Sequence, residues 1–226
     1  MASLVLAHRG VTESGPDNSL PAFRALSELP VDGLEFDVRV TSDDALVASH
    51  DPTIGGSLFE SLTLAEIREL QGDDVDEATR IPTLAEALAL IPAGLTVNLE
   101  LKSPGVGPAL LAAIEEMDAR YELMVSSFDA RPLIALKREL PRIGTGLINS
   151  VPIADPLARV RECGASALSA HWRLVTPGLV AEAGKRQIAL FVWTVNEDPA
   201  LREMVALGVH AIITDQPRRA LEVLGR

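Results

Sequence analysis

The sequence predicts a (βα)8 barrel, and three observations predict it. Eight short apolar runs recur along 226 residues, each followed by a helical pattern. No composition break, linker, low-complexity tract or longer repeat separates these units, so the chain reads as one domain over residues 1–226. Helix-start signals sit where the alternation requires them: prolines near first turns, and Ser or Thr at cap positions.

The first strand is read at 4–8. The N-terminus, Met-Ala-Ser-Leu-Val-Leu-Ala-His, has no basic region or cleavable apolar segment of an export signal. A helix follows at about 19–28. Strand two, 33–40, alternates with period two: Leu34, Phe36, Val38 and Val40 point one way, and Glu35, Asp37 and Arg39 the other. Residues 41–44 are turn formers, and 45–50 return as an extra antiparallel strand. A turn centred on Ser42 and Asp43 pairs residues whose numbers sum to 85, which sets Glu35 opposite His50. Residues 52–82 form a short insertion or flap containing a helix at 63–70, and another helix follows at 83–91. Thr63 with Glu66 and Thr83 with Glu86 have capping-box spacing. Beyond it, strands at 96–101, 123–127, 143–147, 166–169, 188–193 and 210–214 alternate with helices at 106–118, 130–139, 155–162, 177–185, 197–207 and 217–224. Pro108, Pro132, Pro156, Pro199 and Pro217 lie near the helix starts.

Composition narrows the function. The chain is 47% hydrophobic, with no run long enough to span a membrane. A net charge of −12 argues against nucleic acid and against stable association with anionic lipid. An anionic substrate would need the field reversed locally, for which a metal ion is the natural agent. The single Cys163 excludes an internal disulfide and suits a reducing compartment, so a cytoplasmic location is expected.

A barrel builds its active site at the carboxyl ends of its strands. There the chain carries His8-Arg9-Gly10, Glu35 and Asp37, Asn98, Glu100 and Lys102 on one strand face, Trp193-Thr194-Val195-Asn196, and Thr214-Asp215. Parallel barrel strands are ordinarily apolar on both faces. Three carboxylates about 5 Å apart repel by roughly 3 kcal/mol per pair at an effective dielectric near 20. Glu35, Asp37 and Glu100 must therefore be protonated, paired with Arg9 and Lys102, or bound to a cation. Hard oxygen ligands suit Mg²⁺ or Ca²⁺ rather than zinc. A structural ion-pair network is the alternative, but such networks seldom come with two histidines. His8 and His50 beside a divalent cation suit phosphodiester cleavage, one removing a proton and the other supplying one.

The motifs His8-Arg9-Gly10, Pro16-Asp17-Asn18-Ser19, Glu35-Phe36-Asp37-Val38, His50-Asp51-Pro52, Glu100-Leu101-Lys102, Val192-Trp193-Thr194-Val195-Asn196 and the run from Gly208 to Pro217 resemble, in family order, the glycerophosphodiester phosphodiesterase family. The resemblance implies a TIM barrel, a divalent cation, and hydrolysis of a small-molecule glycerophosphodiester to glycerol 3-phosphate and an alcohol. It makes Glu35, Asp37 and Glu100 the metal ligands and His8 and His50 the acid–base pair. Arg9 and Lys102 become phosphate-binding groups, and Trp193 an aromatic wall of the cleft. Two segments depart from the family pattern. Asp17 stands where Glu is usual and is not taken as a metal ligand. A shorter segment, 54–61, replaces one that often contains Arg-Thr-Thr. His171 and His210 lie outside the motifs and read as structural. Two other functions fit the same residues: a phospholipase D-like lyase forming a cyclic phosphate, and a phosphate-ligand-binding module without catalysis.

Overall fold

The computed structural model describes residues 3–103, 105–117 and 120–226. In chain order it begins with β1 (Leu4–His8), α1 (Leu20–Arg24) continued by a 3₁₀ turn at Ala25–Glu28, β2 (Gly33–Val40) and β3 (Leu46–Ala48). The insertion follows as β4 (Thr53–Ile54), β5 (Ser57–Leu58), a 3₁₀ turn at Phe59–Ser61 and α2 (Leu64–Gln71). Then come α3 (Leu84–Leu90), β6 (Thr96–Leu101), α4 (Val106–Met117), β7 (Glu122–Ser127), α5 (Ala130–Glu139), β8 (Gly144–Asn149) and α6 (Pro156–Glu162). The chain finishes with β9 (Ala167–His171), α7 (Pro177–Lys185), β10 (Ala189–Trp193), α8 (Asp198–Leu207), β11 (Ala211–Thr214) and α9 (Pro217–Val223).

Strands β1, β2, β6, β7, β8, β9, β10 and β11 pair in parallel in that order, and β11 closes the ring on β1. This is the expected (βα)8 barrel, with β3 bonded antiparallel to β2 outside the ring. The capping boxes form at both expected helices: Thr63 and Thr83 accept from the backbone of Glu66 and Glu86, whose carboxylates reach back. The helix expected at 106–118 is observed to Met117, and Asp118 lies outside the described residues.

Period-two alternation sorts the strands into two cores. Phe36, Leu34, Val38, Val97, Leu99 and Val125 face outward and pack under the helices, where the Phe23 and Phe36 rings meet at 5.1 Å. Leu6, Met124, Ala167, Phe191, Ala211 and Ile213 face inward and plug the barrel axis. Gly33 lets β2 close on β6, since a Cβ there would lie 2.1 Å from the Thr96 carbonyl oxygen.

Two expectations need correction. The extra hairpin pairs Val38 with Ala48, Arg39 with Val47 and Val40 with Leu46, so pair numbers sum to 86 rather than 85 (38 + 48) and Glu35 is not opposite His50. The turn holds three residues, 42–44, with Asp44 left-handed at φ +61° and the Thr41 amide donating to the Ala45 carbonyl. A three-residue loop ending in a left-handed residue is the next option after the two-residue turn that was assumed. The helix at 19–28 also divides, tightening to 3₁₀ geometry after Arg24.

Candidate active site at the barrel mouth

Strand β2 is buried along all eight residues, polar ones included, which excludes a half-exposed strand with an ordinary polar face. Its inward residues meet those of β6 in register, with Glu35 beside Asn98 and Asp37 beside Glu100. Ligand oxygens of Glu35, Asp37 and Glu100 all lie within 4.8 Å of one another. The arrangement is thus at least as repulsive as the sequence implied.

Two cations offset part of that charge. Lys102 Nζ lies 3.1 Å from Asp37 Oδ1 and 2.5 Å from Glu100 Oε1, and Arg9 Nε lies 3.0 Å from Asp37 Oδ2. Arg9 reaches in from a left-handed turn after β1, at φ +60°, followed by Gly10 at φ +94°. Gly10 is required there, because a Cβ would meet Ala22 at 2.9 Å. Asn18, also left-handed, donates to Asp37 Oδ2 at 2.9 Å and accepts from the Asp37 amide.

The three acids diverge electrostatically. Burial raises the Asp37 carboxyl pKa, but Lys102 and Arg9 more than reverse this and hold it below the usual range. Burial pushes Glu35 well above that range, and Asp37 and Glu100 add to the shift. Glu100 is raised by burial too, against the pull of Lys102. Burial lowers the Lys102 ammonium pKa, and the Asp37 and Glu100 charges outweigh it, leaving it raised. Both Glu35 oxygens are buried without a hydrogen-bond partner. A buried carboxylate with unused oxygens, beside two more carboxylates, fits a hard divalent cation.

Both predicted histidines line the same cavity of about 190 Å³, together with Arg9, Glu35, Glu100, Lys102 and Trp193. They are held differently. His8 is fixed by its ring: Nδ1 lies 2.5 Å from Asp215 Oδ1, and Nε2 is 3.6 Å from Glu35 Oε2. Asn196 donates to Asp215 Oδ2 at 2.7 Å and accepts from Thr214 Oγ1 and the Asp215 amide at 3.0 Å. Burial raises the Asp215 pKa, while hydrogen bonds from His8 and Asn196 bring it below the ordinary carboxylate value. The His50 side chain is 46% exposed, and among the described residues its Nδ1 meets only Asp51, at 3.1 Å.

Sequence reasoning missed several groups at this mouth. Asp215 and Asn196 were seen as strand ends but given no role. Asn98 and Ser126 add buried oxygens without partners to the cavity lining, able to bond a polyol. Phe128, 48% exposed, stands edge-on to Trp193 at 6.1 Å. Asp17 bonds Arg9 Nη1 at 2.8 Å and lies outside the cluster of Glu35, Asp37 and Glu100. His171 is edge-on to Trp193, and its Nδ1 accepts from the Arg173 amide. His210 sits before β11, at the opposite end of the barrel, against Phe191.

A parallel barrel whose mouth gathers three carboxylates, two cationic side chains and two imidazoles has the groups of a phosphodiester hydrolase with a candidate divalent-cation site. The chain belongs to the glycerophosphoryl diester phosphodiesterase family, whose model matches residues 8–219. A glycerophosphodiester phosphodiesterase of Caldanaerobacter subterraneus is 33% identical over 99% of this chain and 98% of its own length. One of Bacillus altitudinis is 27% identical over 97% of each. The crystal structure of a glycerophosphodiester phosphodiesterase from Parabacteroides distasonis superposes with a TM-score of 0.85 at 27% identity, covering 99% of this chain and 97% of that one.

Proposed function

We infer that this chain hydrolyses glycerophosphodiesters to glycerol 3-phosphate and an alcohol, using one divalent cation, Mg²⁺ or Ca²⁺. Glu35, Asp37 and Glu100 would hold the cation, which when bound supplies Lewis-acid stabilisation of charge on phosphate oxygens. The observation that carries the reading is the convergence of that triad with His8 and His50 on one cavity. Family membership supports it.

The chain's own residues divide the remaining work. His8 and His50 form the acid–base pair: one imidazole takes a proton from the water that attacks phosphorus, and the other protonates the leaving alkoxide as its P–O bond breaks. Asp215 orients the His8 ring and keeps the proton on Nδ1 in its neutral form. Lys102 and Arg9, already facing carboxylates, provide cationic surface to the phosphate. Trp193 and Phe128 wall the cavity. Residues 52–82 serve as a flap over the mouth of a one-domain barrel. A location in the cytoplasm belongs to the same reading, supported by Cys163, which is buried and unpaired.

The test is turnover of glycerophosphocholine with and without chelator. Activity should vanish in excess EDTA and return with Mg²⁺ or Ca²⁺, and Glu35→Gln should weaken the response. His8→Ala and His50→Ala should each lower kcat at least ~100-fold. Full turnover in EDTA removes the cation from the reading, and a histidine variant at wild-type rate removes that histidine.

A further inference from the structure

Arg39 occupies the last inward position of β2, two residues beyond Asp37, yet it does not join the carboxylate cluster. Its side chain is 7% exposed and turns toward the flap. Nη2 donates to the His50 carbonyl at 2.6 Å, and Nη1 lies 3.7 Å from Glu60 Oε1. Glu60 in turn accepts from Ser103 Oγ, one residue past Lys102. Glu60 rides on the 3₁₀ turn at Phe59–Ser61, and Phe59 is buried in a small separate core with Val47 and Ile67.

This placement answers how an exposed histidine keeps its position. His8 is held through its ring. Among the described residues the exposed His50 ring meets only the neighbouring Asp51, so the main chain carries most of its positioning. Neighbouring anchors are the Ser49 amide on the Asp37 carbonyl at 3.2 Å and the Ala48 amide on the Pro82 carbonyl. At His50 itself the hold is the Arg39 bond, a charged donor on a carbonyl and stronger than a neutral pair.

We propose that Arg39 is a positioning residue for His50, and that Glu60 and Ser103 orient its guanidinium, so that one buried side chain sets the imidazole, the flap and the segment after Lys102 in register. The proposal rests on His50 acting in the reaction. It goes beyond that reading in assigning His50 geometry to a residue that touches neither substrate nor cation. A planar guanidinium spreads its donors over separate nitrogens in a fixed fork, so Nη2 meets the His50 carbonyl while Nη1 faces Glu60, a geometry the single nitrogen of Lys does not reproduce. The chain between the two anchors turns at Gly55 and Gly56, at φ +57° and +84°.

The first measurement is independent of turnover. In protein carrying ¹³C-labelled histidine carbonyls, the His50 signal should shift in Arg39→Met, and the His8 signal should not. Kinetics follow. Arg39→Met should lower kcat for glycerophosphocholine at least ~10-fold, with cation affinity retained. Glu60→Gln should give a smaller loss in the same direction, and Arg39→Lys partial recovery. In a His50→Ala background, Arg39→Met should add little, because the two act as one unit. An unshifted His50 carbonyl overturns the proposal. So does an Arg39 effect that multiplies undiminished with His50→Ala, since general damage to the fold behaves that way. If Arg39→Met fails to fold, Glu60→Gln and Arg39→Lys decide by the same two readouts. Loss of turnover in the wild-type protein instead strikes the proposed function and leaves the carbonyl result standing.

Discussion

Replacing Asp215 by Asn keeps the side chain's shape and changes what it offers His8. Asp215 Oδ1 accepts from His8 Nδ1 while Oδ2 accepts from Asn196 Nδ2. Asn196 is itself oriented, because its Oδ1 is committed to Thr214 and the Asp215 amide. Asn196 therefore claims the oxygen of an asparagine at 215, and the new NH₂ faces His8 Nδ1. Nδ1 must then become an acceptor, which moves the ring proton to Nε2, the nitrogen facing Glu35 and the cavity. If His8 is the base, its lone pair is lost; if it is the acid, its doubly protonated form meets an opposing donor. Either role suffers. A hydrogen bond to a charged group is worth about 1.5–3 kcal/mol. The Asp215 side chain is 42% exposed, so the lower half of that range applies. This gives at least a ~10–30-fold fall in kcat. The assay is kcat and kcat/KM for glycerophosphocholine across pH, with thermal unfolding as a control for folding. The same substitution in a His8→Ala background should cost almost nothing further. Turnover within about twofold of wild type, with the same pH profile, would refute the reasoning, because no tautomer constraint could then pass through this bond.

Three further outcomes are expected. Lys102→Met removes one of two cations facing the acids; it should destabilise the cation-free protein by about 3–5 kcal/mol in denaturant unfolding, with Mg²⁺ or Ca²⁺ restoring much of the loss, and raise KM for the diester. A cavity of about 190 Å³ lies below the usual size for drug-sized ligands; kcat/KM should accordingly favour glycerophosphocholine over lysophosphatidylcholine below its micelle concentration, and the reverse order would reveal an acyl site under the flap. Asp32 binds the Val5 amide and both Arg226 guanidinium nitrogens; burial raises its pKa, but these partners more than compensate and leave it lowered. Its contribution is present above the unfolded carboxylate value of about 4 and lost as pH falls through the lower folded value. Asp32→Asn should therefore reduce stability near neutrality by about 1 kcal/mol and narrow its gap to wild type in acid, as melting curves would show.

Much of the barrel was legible because its strands obey a local rule. The alternation of Leu34, Phe36 and Val38 with Glu35 and Asp37 reports both burial and direction, and β2 and β6 begin and end where periodicity placed them. The carboxylate cluster followed, since strands two and three of a barrel must be neighbours. Whatever depended on backbone detail was not legible. The hairpin register turned on whether Asp44 adopts a left-handed conformation, which changes the loop by one residue and every pair with it. The His8–Asp215 pair joins residues 207 positions apart, and a strand-end Asp carries no mark of which imidazole it will meet. Arg39 read as the third member of a polar face; only the fold shows that the face turns there from the cation site to the flap. Asn18 had a signal, its place in Pro16-Asp17-Asn18-Ser19, but its grip on Asp37 needs the left-handed turn that follows β1.

The apolar plug along the barrel axis makes the catalytic chamber a blind alley. Leu6, Met124, Phe191 and Ile213 fill the space beneath the polar layer, so the cavity opens at the carboxyl ends of the strands. Whatever enters the cavity must leave by the same face of the barrel. A bound product therefore occupies the space that a new substrate needs.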